Sequence, residues 1–446
     1  MIIIENAAIA TVDPDGTEHR NGHVVVDGER IVAVGAGPAS VPPGEHTRID
    51  GTGCLVTPGL VNTHHHLYQW ATRGLAADST LFEWLVELYP IWGRLDAEIT
   101  HAAATAGLAR LALTGCTTVA DHHYVFPRDA GDQIEALVTA VTTIGVRGHL
   151  VRGSMDRGES DGGLPPDNLV ETLDAALLGT EQAIDTHHDP APNARIRIAV
   201  GPCSPFSVSE QLMKEAAELA RRKGVRLHTH LAETLDEERQ CLAEVGCTPA
   251  EYAEALGWLG DDVWLAHTVH LAPGAIARLG VTGTGSAHCP TSNGRLGTGI
   301  APARDLIDAG APVGLGVDGA ASNESGGLGE ELHQALLQAR QRGGPQALTV
   351  RQALWMGTMG GARCLGRQDE LGSLEPGKLA DLALWRLDGL RYAGITDPVA
   401  ALVLGAVPDV ELMLVGGETV VAGGELRTAD EAAIAAQLRA ASGRLR

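Results

Sequence analysis

Between residues 55 and 318 one pattern returns eight times: a short apolar stretch suited to a buried strand, then a longer stretch with helical spacing. The strand candidates are LVTPGLVNTH (55–64), TTVADHH (117–123), GHLVRGS (148–154), RIAVGPCS (197–204), RLHTHLA (226–232), VWLAHTV (263–269), TGSAHC (284–289) and PVGLGVD (312–318). Strands alternating with helices make a parallel sheet covered by those helices. A count of eight favours an α/β fold closed into a TIM (β/α)8 barrel over an open doubly wound sheet. One helix between the strands is well signposted. Ser209 can cap it, Glu210 suits its first turn, Leu212, Ala216 and Leu219 share a face, and Arg221, Arg222 and Lys223 precede Gly224.

The two ends read differently. IIIENAAIATV, then VVV and RIVAV around Asp27-Gly28, a favoured hairpin dipeptide, make the first 57 residues β-rich. DLALW (381–385) and ELMLVGGETVVAGG (411–424) repeat that character near the other end. The expected organisation is a small β-sandwich-like domain formed from both chain ends, residues 1–57 plus 372–446, with a catalytic barrel inserted at 58–371. A chain of 446 residues is long enough for one large and one smaller domain. The stretch 156–167, with Pro165-Pro166, reads as a loop after the third strand.

Charge and cysteine usage remove several function classes. A formal charge of -23 repels nucleic-acid phosphates and anionic lipid headgroups, so the expected partners are small molecules, with no nucleic acid and no membrane. The first twelve residues lack a basic region followed by a long apolar run, and no window is apolar enough to span a bilayer, which points to the cytoplasm. Seven scattered cysteines do not make a disulfide framework, and no pair has the CxxC spacing of a thiolate zinc site. A metal in this chain has to be held by histidines and carboxylates.

Those residues fall in a telling place. His64 and His66 lie two apart at the end of the first strand, so their side chains share a face while His65 turns away. The fifth strand ends in His228-Thr229-His230-Leu231-Ala232-Glu233, the sixth contains His267 and the eighth ends at Asp318. All sit at the C-terminal ends of strands, where a barrel builds its active site. His64, His66, His230 and Asp318 form a nitrogen and oxygen set suited to a divalent metal with a position left for water. Taken singly, His267 reads as a core histidine and Glu233 as an ion-pair partner. Within this cluster the functional reading is the stronger one.

PGLVNTHHH, HTHLAET, LAHTVHL, GLGVDG and GSLEPGKLADLALW (372–385) resemble the amidohydrolase superfamily, in particular its deaminases and chlorohydrolases of purines, cytosine and triazines. The resemblance spans nearly the whole chain. It implies metal binding by His64, His66, His230 and Asp318 and catalytic roles for Glu233, His267 and Asp318. The metal would acidify a water, Asp318 would accept its proton, Glu233 would protonate a ring nitrogen and His267 would hydrogen-bond the attacking oxygen. Two-metal members usually bridge their ions with a modified lysine on strand four. This chain has only Lys214, Lys223 and Lys378, none at a strand end, so one divalent ion is expected, zinc preferred on ligand type and iron the alternative. The resemblance also implies homo-oligomers.

HHHLYQ (64–69), DHHYVFP (121–127), SMDRGESDGGLPPD (154–167) and PCSPFSVS (202–209) are similar to 8-oxoguanine deaminases, whose relatives include isoxanthopterin deaminases and hydroxytriazine hydrolases. The expected reaction is therefore hydrolytic release of ammonia from a purine-like ring, 8-oxoguanine to urate first among candidates. Other aminoheterocycles and triazine chloro- or amino-hydrolysis are the alternatives. Gln69 offers a donor and an acceptor for a lactam edge, and Tyr124 and Cys203 are further substrate-binding candidates. His122, His123, His270 and His288 read as structural. LFEWLVELYPIW, with Phe82, Trp84 and Trp92, reads as an amphipathic helix packed against its neighbours, with a wall over the site as the alternative. A catalytically inactive scaffold relative is expected to lack one or more metal residues, and this chain retains all of them.

Overall fold

The computed structural model of the protein describes residues 1–41 and 43–446. Eight parallel strands close into a barrel in chain order: Leu60–Asn62, Cys116–His123, Arg147–Ser154, Ile196–Pro202, Leu227–Leu231, Val263–His267, Gly285–His288 and Val313–Leu315. The first and last meet at Asn62 and Leu315. Every residue of the second and third strands is buried, because helices cover one face and side chains fill the other. The filling includes Val61, Ala120, Val151, Ala199 and Ala287 around Trp264. Small residues on five strands make room for that indole, whose N–H donates to the Thr63 carbonyl at 2.9 Å. The signposted helix spans Glu210–Lys223, capped by Ser209 Oγ on the Leu212 N–H at 3.1 Å and ended by Gly224 at φ +69°.

Two expected strands turn out to be divided. Residues 55–64 are buried throughout, yet Cys54–Pro58 pairs outside the barrel and only Leu60–Asn62 enters it. Gly59 joins them where a Cβ would stand 2.2 Å from Thr117 Cγ2, so a side chain there would block the crossing. An apolar run reports burial without saying which sheet does the burying. Likewise 312–318 leaves the barrel after Leu315, and Asp318–Gly319 pairs with His65–His66 in a separate two-stranded ribbon. That ribbon brings the acid beside the histidines.

Strands from both ends share one nine-stranded sheet. Its path runs Glu425–Leu426, Glu418–Ala422, Val410–Val415, Leu382–Arg386, Cys54–Pro58, Ile2–Ala10, Glu18–Asp27, Arg30–Ala36, and Thr47–Asp50 also pairs with Ile2–Ala10. Ile4, Val24, Val56, Leu382 and Leu414 form a separate apolar layer on it. Among the described residues no helix is long and apolar enough to cross a membrane.

A buried ion pair fastens this sheet to the barrel. Arg147, opening the third barrel strand, holds Asp381 through Nε at 2.8 Å and Nη2 at 2.9 Å, and Asp381 Oδ1 also accepts the Gly416 N–H at 2.7 Å. Both partners are buried, so removing one charge leaves the other desolvated and unpaired. Asp381→Asn is expected to cost about 3–5 kcal/mol, read as a lower denaturant midpoint. An unchanged midpoint would remove this pair from the account of how the two parts hold together.

Candidate active site

The residues expected to do chemistry meet at the C-terminal mouth of the barrel. His66 Nε2 lies 3.1 Å from His230 Nε2, and Asp318 Oδ1 stands 3.4 Å from His64 Nε2 and 3.3 Å from His66 Nε2. His267 Nε2 is 3.6 Å from Glu233 Oε2 and 4.0 Å from Asp318 Oδ2. His65 turns away, its Nε2 accepting the Trp70 indole N–H at 3.2 Å. The backbone is forced here: Ala232, His267, Thr268 and Asp318 adopt φ of +54°, +70°, +48° and +60°. Left-handed backbone at a residue with a Cβ costs about 1–3 kcal/mol and persists where surrounding bonds over-determine it. Val269 N and His270 N both donate to the Ala232 carbonyl, at 3.0 and 2.9 Å, and Asp318 N donates to that of His64 at 3.0 Å.

Hydrogen bonds on the far side of each ring settle which nitrogen faces the centre. His66 Nδ1 meets the His122 carbonyl at 2.6 Å and His230 Nδ1 that of Cys203 at 2.5 Å. A carbonyl can only accept, so both Nδ1 atoms carry protons and both Nε2 atoms are bare. His64 gets the same result through a relay. His228 Nδ1 donates to the Trp264 carbonyl at 2.8 Å, which leaves His228 Nε2 to accept from His64 Nδ1 at 2.8 Å. His64 Nε2 is buried without a hydrogen-bond partner among the described residues. Burial holds His64 and His230 well below the ordinary imidazole range, so both stay neutral. Three bare nitrogens and a carboxylate oxygen turned on one another repel. A divalent cation relieves that repulsion, so this donor set fits a metal. His122, whose ring stacks on His230, brings another nitrogen within 4.8 Å of those of His64 and His230.

Glu233 sits beside this centre. Burial first, then the nearby carboxylates of Asp318 and Glu237, push its acid well above the usual carboxyl range, which favours the protonated form. His267 Nδ1 meets Asn293 Oδ1 at 3.0 Å, which leaves its Nε2 free to accept.

A cavity opens from the centre, lined in part by Gln69, Leu81, Trp84, Tyr124, Cys203 and Phe206. Both amide atoms of Gln69 are buried and without partners among the described residues. Gly319 lets the amide in, since a Cβ there would lie 1.7 Å from Gln69 Oε1. Burial pushes the Cys203 thiol up to about 12, which keeps it protonated and a poor nucleophile. The helix Leu81–Trp92 combines both readings of its sequence, with Leu81 and Trp84 facing the cavity and Trp92 packed behind against Tyr68 and Tyr89.

Several polar residues in the site went unflagged in the sequence. Ser292 Oγ donates to Asp318 Oδ2 at 2.5 Å, and Ser322 Oγ reaches the same oxygen at 3.2 Å. Glu237, fully buried, accepts the N–H groups of Ala232 and Glu233 at 2.9 and 2.8 Å. Thr234-x-x-Glu237 does carry the spacing of a capping box, a local signal that could have drawn attention to it. Ser292 and Asn293 carry no such signal.

The amidohydrolase family profile matches residues 55–420. The chain is 46% identical to an 8-oxoguanine deaminase of Pseudomonas aeruginosa over 98% of its own length and 97% of the relative's. It is 38% identical to an isoxanthopterin deaminase of an unknown prokaryote, covering 94% of this chain and 92% of that one. An atrazine chlorohydrolase from Arthrobacter aurescens, solved in complex with zinc, superposes with a TM-score of 0.93 at 36% identity, covering 99% of this chain and 100% of that one.

Proposed function

The chain belongs to the amidohydrolase family, and from that premise we propose that it is a metal-dependent hydrolytic deaminase of a purine-like ring, converting 8-oxoguanine to urate and ammonia. The observation that carries the reading is the placement of a buried Glu233 beside three inward-facing imidazole nitrogens and Asp318 at the wall of a cavity. In this reading residues 58–371 form the catalytic domain, with 1–57 and 372–446 as the composite β domain.

His64, His66, His230 and Asp318 hold one divalent ion, zinc by preference. When bound, such an ion lowers the pKa of water toward neutrality and so supplies a nucleophile. The protein's own groups do the rest. Asp318 Oδ2, turned toward His267, takes a proton from the attacking water and later yields it to the departing amine. His267 Nε2, bare because Asn293 accepts from Nδ1, takes a hydrogen bond from that water and orients it. Glu233 delivers its proton to the ring nitrogen beside the carbon under attack, so that carbon becomes tetrahedral without anionic charge on the ring, and Glu233 takes back the remaining hydroxyl proton as the carbonyl forms and ammonia leaves. Gln69 meets the lactam edge with the donor and acceptor left without partners among the described residues. Tyr124 and Cys203 line the same ring, and the protonated thiol argues for direct hydrolysis over a covalent route.

Displacement of chloride from a triazine is the second reading, favoured by the likeness to the atrazine chlorohydrolase. One assay separates the two. Zinc-loaded protein is incubated with 8-oxoguanine, guanine, isoxanthopterin, cytosine and chlorinated triazines, and ammonia and chloride are measured. Ammonia released fastest from 8-oxoguanine is the expected result. Chloride release without ammonia would install the second reading, and silence across the panel would overturn the substrate class.

A further inference from the structure

Glu331 lies in the helix Leu328–Gly343, outside the cavity, and is fully buried. Its two carboxylate oxygens go to two different loops. Oε2 accepts the backbone N–H of Thr291 at 3.0 Å, and Oε1 accepts from Asn323 Nδ2 at 2.8 Å. Thr291 stands in the first turn of Pro290–Leu296, the helix after the seventh barrel strand, whose N-cap residue Cys289 makes no side-chain cap. Glu331 supplies an acceptor to that bare helix start from outside. The next two residues are Ser292, which donates to Asp318 Oδ2, and Asn293, which holds His267. On the other side Asn323 also grips the Val317 carbonyl at 2.9 Å, one residue before Asp318. Asp318 is thus approached from both flanks by segments that one carboxylate ties together, at a residue whose backbone sits at φ +60° and needs holding.

We infer that Glu331 is a positioning residue, clamping the loops after the seventh and eighth barrel strands so that Ser292 and Asn293 hold Asp318 and His267 in their working orientations. The inference builds on the proposed roles of Asp318 and His267. It assigns the seventh strand, which lends no group to the metal centre, the task of orienting groups from its neighbours. Outer partners of this kind typically influence activity or metal affinity by about 10- to 100-fold.

Glu331→Gln keeps the shape of the side chain but leaves one acceptor oxygen for two donors, so one loop is released. Expected is a fall in kcat of about 10- to 100-fold with KM little changed, and a matching loss of zinc affinity measured by competition with a chromophoric chelator. A double-mutant cycle with Ser292→Ala separates positioning from mere stability. If Glu331 acts through the Ser292 loop, the double variant loses no more than the worse single variant, whereas independent losses multiply. Thr291→Pro removes the N–H that Oε2 accepts together with the Thr291 hydroxyl, at a helix start that tolerates proline, and gives a second cut through the clamp should Glu331→Gln fail to fold. Wild-type silence on the substrate panel would count against the deaminase reading alone, because zinc affinity still reports on Asp318. Wild-type kcat and zinc affinity in the variants, or losses that multiply, would overturn the clamp.

Discussion

Asp318→Asn is expected to abolish turnover while sparing the metal. The two oxygens of Asp318 have different surroundings, and these decide how an asparagine sits. Oδ1 accepts the Gly319 N–H at 2.7 Å and faces the Nε2 atoms of His64 and His66, so only an oxygen fits there. Oδ2 receives the hydroxyls of Ser292 and Ser322, which can rotate and accept from an NH2 instead. The substitution therefore keeps the oxygen beside the histidines and replaces the oxygen turned toward His267. General-base catalysis is worth about 10²- to 10⁴-fold, so kcat should fall by at least ~10²-fold. Elemental analysis should show zinc near the wild-type level. A variant within tenfold of wild type would remove Asp318 from the proton-handling role.

Stripping the divalent ion with a chelator is expected to extinguish activity and lower thermal stability together. Without a cation, the bare nitrogens of His66 and His230 face each other at 3.1 Å with the Asp318 carboxylate 3.3 Å from His66. No hydrogen bond among the described residues relieves this, because each Nδ1 proton is committed to a carbonyl or to His228. An ion at about a hundred times its Kd stabilises the folded state by ~2.7 kcal/mol through mass action alone. Activity and melting temperature should both return with Zn2+, and a protein verified free of metal that still turns over substrate would end the metal-dependent reading.

Much of this site was legible because its signals are local and periodic. Two histidines at a spacing of two share a strand face, and strand ends are where a barrel exposes side chains. The helix capped by Ser209 was legible for the same reason, since capping and the glycine stop are short-range physics. Gln69 was flagged as one polar residue near the motif. Its importance rests on a fact no sequence shows, that both amide atoms are buried and unpaired among the described residues. The helix Leu81–Trp92 looked like ordinary core because its apolar stripe is wide. Only packing reveals that part of the stripe faces a cavity instead of a neighbour.

By itself the sequence determined the alternation of elements, the barrel and the identity of the residues that meet at its mouth. Each follows from periodicity or spacing within a few residues, which act before the chain is packed. Tertiary structure alone decided that Gly59 passes the chain from one sheet to another and that Asp318 leaves the barrel to pair beside His65. It also decided which imidazole nitrogen faces inward, through carbonyls contributed by other strands, and that Glu331 joins Thr291 to Asn323. These are contacts between segments distant in sequence, made of single hydrogen bonds. A lone polar residue has the same local signature whether it meets solvent or a partner across the fold.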